Sequence, residues 1–380
     1  MPEVIALKCI TGSECTAIGR MPQDRGRVAS LDTLRGFAIA ILLIATPLVS
    51  ALKEVPQSAT RDMLVWQLSH VKGEGISLFD VGWPAFLIIA GVSLNFSLAR
   101  RLERGETRFA AWLDLVRKSL LCALFAFFVH GGFSIPWAKV YFADVLFIYA
   151  AVIFVAGTAQ LVLGFRGVLT LLLLLMVGIS VATVWGTYAS FETIQQKPGS
   201  SLDDVIQKAL GSKLAMKYVW YFPRQLMSCL AGLLLAKVYQ SDLPPQRRVW
   251  WLVGIGITAV GAAYLMEGWI QISKRYWTTS YTLCTFGITC LFLAAFGQVI
   301  EAWGGRAFTM PWIVFGKNSL AAYAAHELVP FDKYAQRVLG YAFESVLGPY
   351  NEVLLAIVQF MLCWLVFYAL YRRNIVIRLG

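Results

Sequence analysis

Long apolar runs constrain the fold of this 380-residue chain more than any other feature. A helix needs about 20 apolar residues to cross a bilayer, where its backbone groups must be satisfied internally. Charged residues make up only 14% of the chain, against about 25% in soluble domains. The sequence therefore predicts an all-α, polytopic membrane bundle of about ten transmembrane helices (nine to eleven). The ten runs are 36–52, 79–98, 115–130, 142–163, 168–185, 219–238, 249–266, 281–300, 311–325 and 353–370.

Basic residues predict the orientation of these helices. They concentrate in three short segments at the ends of runs, namely 100–108, 246–249 and 371–374. Short loops rich in Lys and Arg stay on the cytoplasmic side, so both termini are predicted to be cytosolic. Residues 1–28 are then a cytosolic tail, and 29–380 form one transmembrane domain. The net charge of +11 is a topology signal. Without a basic patch interleaved with aromatic residues, no nucleic-acid partner is predicted.

The three histidines of the chain, His70, His130 and His326, are all predicted to face the non-cytoplasmic side. His70 precedes a Gly-rich turn and then Asp80, at the start of the second run. Asp80 has two readings: an acidic residue stabilised by the helix amino end, or a carboxylate that orients His70. Histidine is suited to general base work because its unperturbed pKa lies near neutrality. Cys and His residues lack metal-ligand spacing, so no metal site is predicted.

The stretch "GKNSLAAYAAHEL" (316–328) ends in a histidine although most of it is apolar. Asn318, Ala322 and His326 are four residues apart, which places them along one side of a helix. Asn318 would lie about 12 Å below His326 along the helix axis. A polar strip leading to His326 is one interpretation. The alternative is a hydrogen bond between membrane helices, aided by close packing of small residues.

Four blocks of the chain resemble, in the same order, the heparan-α-glucosaminide N-acetyltransferase family and its bacterial relatives. The blocks are "RVASLDTLRGFAI" (27–39), "SHVKGEGISLFDVGWPAFLIIAGVSLNFSL" (69–98), "KRYWTTSYTL" (274–283) and "PWIVFGKNSLAAYAAHEL" (311–328). The resemblance covers roughly 27–130 and 267–330. It implies a transmembrane acyltransferase that moves an acetyl or other acyl group from cytosolic acyl-CoA to a sugar or polysaccharide beyond the membrane.

The resemblance also implies roles for particular residues. The family's catalytic histidine aligns with His70, so the predicted catalytic set is His70, His326 and Asp80. Acetyl-CoA is the expected donor, and its phosphates are expected near Arg35, Asp32 and Arg117. An equally good interpretation of the first two is structural: Asp32 as a helix cap and Arg35 as a positive-inside anchor. The predicted substrate-binding residues are Asn318, Ser319, Glu327, Lys274 and Trp277.

Two departures from the family pattern concern the donor and the acceptor. Phe147 and Ile148 stand where many relatives carry a Gln–Arg pair, and Thr46 stands where relatives often carry Asn. Glucosamine on heparan is therefore not carried over as the acceptor. The absence of a secretory signal in residues 1–28 and the bacterial character of the blocks favour a bacterial inner membrane. Membrane lipid and a second copy of the chain are the other partners expected.

A small-solute or sugar transporter is the alternative function. Polar residues at mid-membrane and helices interrupted by Gly or Pro also mark transport sites. Such transporters often contain a repeat, and none relates residues 36–185 to residues 219–370. Histidines and charge at the outer edge favour the enzyme.

Overall fold

The computed structural model describes residues 28–71, 75–134, 145–188, 221–274, 276–340 and 343–377. The predicted cytosolic tail, 1–28, lies almost entirely outside these residues. Every regular element that the structure describes is helical, in agreement with the predicted class. The α-helices, in chain order from α1 to α13, are Ala29–Glu54, Ala59–Gln67, Leu78–Glu103, Arg108–Val129, Val145–Tyr188, Phe222–Gln240, Pro245–Met266, Thr279–Gly297, Met310–Lys317, Ser319–Leu328, Phe331–Leu339, Glu344–Leu347 and Asn351–Arg372.

Within the described residues, six helical segments are long and apolar enough to cross a membrane. They are Ala29–Glu54, Leu78–Glu103, Val145–Val184, Pro245–Met266, Thr279–Ala302 and Glu344–Arg372. Each of the ten predicted runs overlaps a helix. The count of ten spans and the cytosolic position of both termini stay predictions.

Three of the predicted runs form helices that differ from the ones expected. Runs four and five share α5, which is interrupted at Gly164, where φ is 65° and ψ −170°. Glycine reaches this conformation without the steric cost that a Cβ would add. The prediction of one helix over 311–325 is wrong. Asn318 has φ −128° and ψ 37° and separates α9 from α10, so the ninth run is two short helices.

Glycines let two helix pairs approach backbone to backbone. A Cβ on Gly91 of α3 would overlap the carbonyl oxygen of Cys229 on α6, and one on Gly232 would overlap that of Ile88. Gly36 of α1 and Gly316 of α9 make the same kind of contact. Lipid supplies no hydrophobic drive between helices, so close van der Waals packing of small residues holds such pairs together.

Helices α3, α6 and α8 form the centre of the bundle. Leu87, Leu230 and Tyr281, one from each helix, are fully buried in the same core cluster. Two side-chain hydrogen bonds bring the first two turns of these helices together. Trp83 donates to Gln225 Oε1 at 3.1 Å, and the Tyr281 hydroxyl donates to the main-chain oxygen of Asp80 at 2.6 Å. The amino ends of three central helices therefore lie close to Asp80.

Candidate active site

Asp80 is fully buried in the first turn of α3. Ser77 is the N-cap of this helix, and its Oγ accepts from the Asp80 backbone N–H at 3.2 Å. The Asp80 Oδ2 atom accepts from Val71 N at 3.1 Å and lies 3.0 Å from Ser77 Oγ. A carboxylate is favoured in the first turn of a helix, where free N–H groups and the positive dipole end face it. Local capping therefore fixes the Asp80 side chain.

The other carboxylate oxygen of Asp80 faces a histidine and a lysine. His70 Nδ1 lies 2.9 Å from Asp80 Oδ1, and Lys274 Nζ lies 2.8 Å from the same oxygen. Lys274 Nζ is also 2.6 Å from His70 Nδ1. The exposed fractions of the side chains are 59% for His70, 20% for Lys274 and 0% for Asp80. The structure thus brings together three of the predicted site residues, from segments 204 positions apart.

The loop before α8 positions Lys274. Thr278 is the N-cap of α8, and its Oγ1 accepts from Tyr281 N at 3.2 Å and donates to Gln271 O at 2.8 Å. Trp277 has φ 46°, is buried, and packs edge-on against Tyr281 with ring centroids 5.3 Å apart. A bulky residue at positive φ is a strained conformation that the surroundings must hold. Trp277 therefore supports the loop that carries Lys274.

A second contact joins this loop to the His70 segment. Gly75 N donates to Ile272 O at 3.1 Å. The Phe79 ring lies against the His70 ring, with centroids 4.5 Å apart, and Lys274 Nζ lies 5.7 Å from the Phe79 centroid. The position of the His70 ring is thus fixed both by the Phe79 ring that packs against it and by the contacts of its Nδ1 atom.

The hydrogen-bonding role of His70 Nδ1 decides the chemistry available to the ring. A lysine ammonium only donates, and a carboxylate only accepts. If Nδ1 carries its proton, it donates to Asp80, and Nε2 is left with the basic lone pair. If Nδ1 accepts from Lys274, the proton is on Nε2 and the ring has no free base. Asp80 Oδ1 has lone pairs for both donors, so in the first arrangement it accepts from Nδ1 and from Lys274, and the 2.6 Å contact between these two nitrogens must then lengthen.

Lys274 has an altered proton affinity. Burial lowers the pKa of its ammonium from the ordinary value of 10.5, and the hydrogen bond and charge of Asp80 act in the opposite direction. Removal of water around the ammonium favours the neutral amine, and Asp80 is the group that opposes this by favouring the charged form.

His326 lies on α10 beside Glu327. Its Nδ1 is 3.9 Å from Glu327 Oε1, which is an ion-pair distance and too long for a hydrogen bond. The side chain of His326 is 24% exposed, and its Nε2 is buried without a hydrogen bond to any residue that the structure describes. Among the described residues, no polar contact joins His326 to His70. A shared role for the two imidazoles stays a prediction.

Asn318 makes contacts of a structural kind. Its side chain donates to Ile375 O at 3.1 Å and accepts from Ile377 N at 2.7 Å. Asn318 thereby fixes the segment that follows the last helix, and it is 2% exposed. Its neighbour Ser319 is buried at the start of α10. A substrate-binding role for either residue stays a prediction.

The predicted donor-binding residues are spread over two helices. Arg35 Nη1 lies 3.3 Å from Asp32 Oδ1, one turn apart at the start of α1, and Arg35 also donates to Ser93 on α3. Asp32 lies in the first turn of α1, where the helix dipole favours it. Arg117 is exposed on α4. These contacts support the structural interpretation of Asp32 and Arg35 as a helix cap and an anchor.

Three residues around Asp80 were missed in the sequence, namely Ser77, Phe79 and Tyr281. A signal for Ser77 existed, since "SLFD" (77–80) has the spacing of a capping box, with an acidic residue three positions after the cap. No local pattern points to Tyr281, because its contact with Asp80 joins residues 201 positions apart.

Comparison with known proteins finds a distant similarity. No protein-family model matches the chain. The chain is similar to human (Homo sapiens) heparan-alpha-glucosaminide N-acetyltransferase, with 21% identity over 378 aligned residues. The alignment covers 81% of this chain and 53% of the human protein, so the chain spans about half the length of that relative. The similarity supports the family resemblance carried by the four sequence blocks.

Proposed function

We propose that this protein is a membrane-embedded acyltransferase that moves an acetyl group from acyl-CoA to a sugar or polysaccharide on the non-cytoplasmic side. The observation that carries the proposal is the arrangement of His70, buried Asp80 and Lys274. A histidine oriented by a buried carboxylate is an arrangement suited to general base catalysis of acyl transfer. The similarity to a human N-acetyltransferase supports the acyl-transfer class.

In the proposed reaction, His70 donates through Nδ1 to Asp80 and uses Nε2 as the base. Nε2 takes the proton from the acceptor amine or hydroxyl as this group attacks the thioester carbonyl. The new bond joins the acyl carbon to the acceptor, and the carbon–sulfur bond breaks. The proton then passes from Nε2 to the departing CoA thiolate. Asp80 stabilises the imidazolium in between, and Lys274 holds Asp80 ionised. Direct transfer is preferred to an acyl-histidine intermediate, in which Nε2 itself would attack.

Acetyl-CoA is the proposed donor, entering from the cytosol, and Arg35 is its proposed phosphate contact, with Arg117 as a second cation. Because Arg35 already pairs with Asp32 and Ser93, Arg35→Ala should raise the KM for acetyl-CoA and also lower the thermal midpoint. Arg117 is exposed, so Arg117→Ala should change KM alone. The proposed location is the inner membrane of a bacterium.

The test uses detergent-purified full-length protein with labelled acetyl-CoA and a panel of amino sugars, neutral sugars and oligosaccharides. Transfer of label to an acceptor is the expected result. His70→Ala should lower turnover by about 10² or more, with a much smaller effect on acetyl-CoA binding. His130→Ala is the matched control, since it also removes an imidazole but lies outside the Asp80 arrangement. Full transfer activity in well-folded His70→Ala protein would refute the role of His70.

The transporter alternative is separated by the same preparation in vesicles. Uptake of a labelled sugar with no consumption of acetyl-CoA would favour transport. Consumption of acetyl-CoA that depends on His70 and on an acceptor supports the acyltransferase.

A further inference from the structure

A small, partly enclosed apolar slot lies between α1, α3, α5 and α10. Its walls include Ala38 of α1, Gly82, Trp83 and Phe86 of α3, and Leu320 and Tyr323 of α10. The free volume is about 20 Å³. A cavity needs roughly 10–15 Å³ to hold one water-sized group, and apolar cavities stay dry. The slot therefore has room for about one methyl-sized group.

The slot shares a helix face with the aromatic ring that contacts His70. Phe79, Gly82, Trp83 and Phe86 stand at positions i, i+3, i+4 and i+7 of α3, which line one side of a helix. The rise per residue places Gly82 about 4.5 Å and Trp83 about 6 Å along the axis from Phe79. Since Phe79 packs on the His70 ring, the slot begins within one helical turn of a residue that contacts the proposed base.

The chemistry of the wall suits an apolar occupant. Trp83 uses its indole N–H to donate to Gln225 on α6, so the ring presents carbon atoms to the slot. Trp83 also stacks on Phe86, with ring centroids 5.8 Å apart and planes 14° from parallel. On the opposite wall, Tyr323 stands three residues before His326, so the slot also adjoins the turn that carries His326.

We propose that this slot holds the methyl group of the acyl chain during transfer, and that Trp83, Gly82 and Leu320 restrict the enzyme to acetyl donors. The inference rests on the proposed acyltransferase function and adds its acyl-chain specificity. The methyl of an acetyl thioester is bonded directly to the reacting carbonyl carbon. In this proposal, an occupied slot holds that carbon at the end of α3 that carries Phe79 and faces His70.

The size of the slot sets the expected selectivity. Discrimination by one methylene in an apolar pocket amounts to about 10–200-fold in kcat/KM. The chain should therefore use acetyl-CoA at least about 10-fold better than propionyl-CoA, with a further fall for butyryl-CoA. Trp83→Ala and Leu320→Ala enlarge the slot from opposite walls. Each should raise the propionyl-to-acetyl ratio by about 10-fold or more.

Two further variants separate slot volume from general damage. Trp83→Phe keeps a ring but is smaller than Trp and loses the bond to Gln225, so it should raise the ratio by less than Trp83→Ala does. Gly82→Ala narrows the slot at a position where the nearest atom to a new Cβ is Ala38 O at 4.0 Å. It should lower acetyl transfer while the thermal midpoint is retained. Trp112→Ala is the control, because Trp112 also donates across helices, to Thr158 at 3.2 Å, but lies outside the slot.

The measurement is initial-rate kinetics with acetyl-, propionyl-, butyryl- and hexanoyl-CoA for folded protein of each variant. If the wild-type protein transfers no acyl group from any of these donors, the proposed function fails. If it transfers acetyl but Trp83→Ala and Leu320→Ala both keep the wild-type ratio, the slot inference alone fails. A wild-type preference for a longer chain would also overturn the slot inference.

Discussion

Replacing Asp80 with Asn removes the charge at the centre of the site and keeps the size of the side chain. The carboxylate faces four donor groups, on His70, Lys274, Val71 and Ser77. An Asn offers one acceptor oxygen, and its NH₂ group would meet a donor at the other position. If the NH₂ group faces His70, it favours the tautomer with the proton on Nε2. Turnover should fall by about 10²–10⁴, the range typical for loss of general base catalysis.

The same substitution should also lower stability by a bounded amount. Removing one partner of a buried ion pair costs about 3–5 kcal/mol, because a buried charge is left without its counterion. The Lys274 side chain retains 20% exposure, so water compensates part of this cost and the loss should lie below that range. Lys274→Met added to Asp80→Asn removes the unpaired ammonium. The double variant should regain thermal stability but not activity.

The assay is transfer of labelled acetyl at saturating donor, together with the thermal midpoint of the same purified sample. Asp332→Asn is the matched control, since Asp332 also lies in the first turn of a helix but is exposed. Asp332→Asn should change neither quantity. Folded Asp80→Asn protein with wild-type turnover would show that Asp80 caps α3 without orienting His70, and the proposed base mechanism would be wrong.

Three other substitutions have defined outcomes. The pKa of Lys274 is lowered by burial, so between this lowered pKa and 10.5 the unfolded chain binds more protons than the folded one. The Lys274 contribution to the free energy of unfolding therefore increases as the pH rises through that window. Lys274→Met should reduce the increase of the thermal midpoint with pH. An unchanged slope would contradict the burial of the ammonium. Asn318→Leu removes two hydrogen bonds to the C-terminal segment, worth about 1 kcal/mol each, and should lower the thermal midpoint. An unchanged KM for acetyl-CoA would show that Asn318 is only structural, whereas a raised KM would support its predicted substrate-binding role. Gly232→Val should abolish the monodisperse peak in size-exclusion chromatography because its side chain meets the Ile88 backbone, whereas Gly254→Val, with no atom within 4 Å of the new Cβ, should not.

The helical class and the position of most helices could be predicted from hydrophobicity alone. Apolar runs of about 20 residues have few alternatives in lipid. The break at Asn318 could not, since its side chain binds residues 57 and 59 positions further along the chain. Such tertiary hydrogen bonds produce no periodic pattern in the amino-acid sequence. The short α2 and α11 were missed because they contain polar faces and lack the length of a span.

For the site, the sequence singled out His70, Asp80 and Lys274 as candidates, and the structure places them in contact. Their roles stay predictions. The four sequence blocks that resemble the family identified Lys274 as a candidate, because no local feature of the sequence relates Lys274 to His70. The slot beside Trp83 was beyond prediction, because its walls come from four helices and its volume depends on side-chain packing. Pairing between Asp32 and Arg35 follows from their spacing of three residues on one helix.

The contact between Gly36 and Gly316 has a consequence for how this sequence can diverge. A Cβ at either position would overlap the backbone of the facing helix, at Trp312 O or Asp32 O. Exposed apolar positions such as Leu174, by contrast, can exchange among apolar residues freely. A saturation library selected for cellular protein abundance should therefore retain glycine at 36 and 316 as strictly as an activity selection retains His70. The most invariant positions in this protein are expected to include sites that take no part in chemistry.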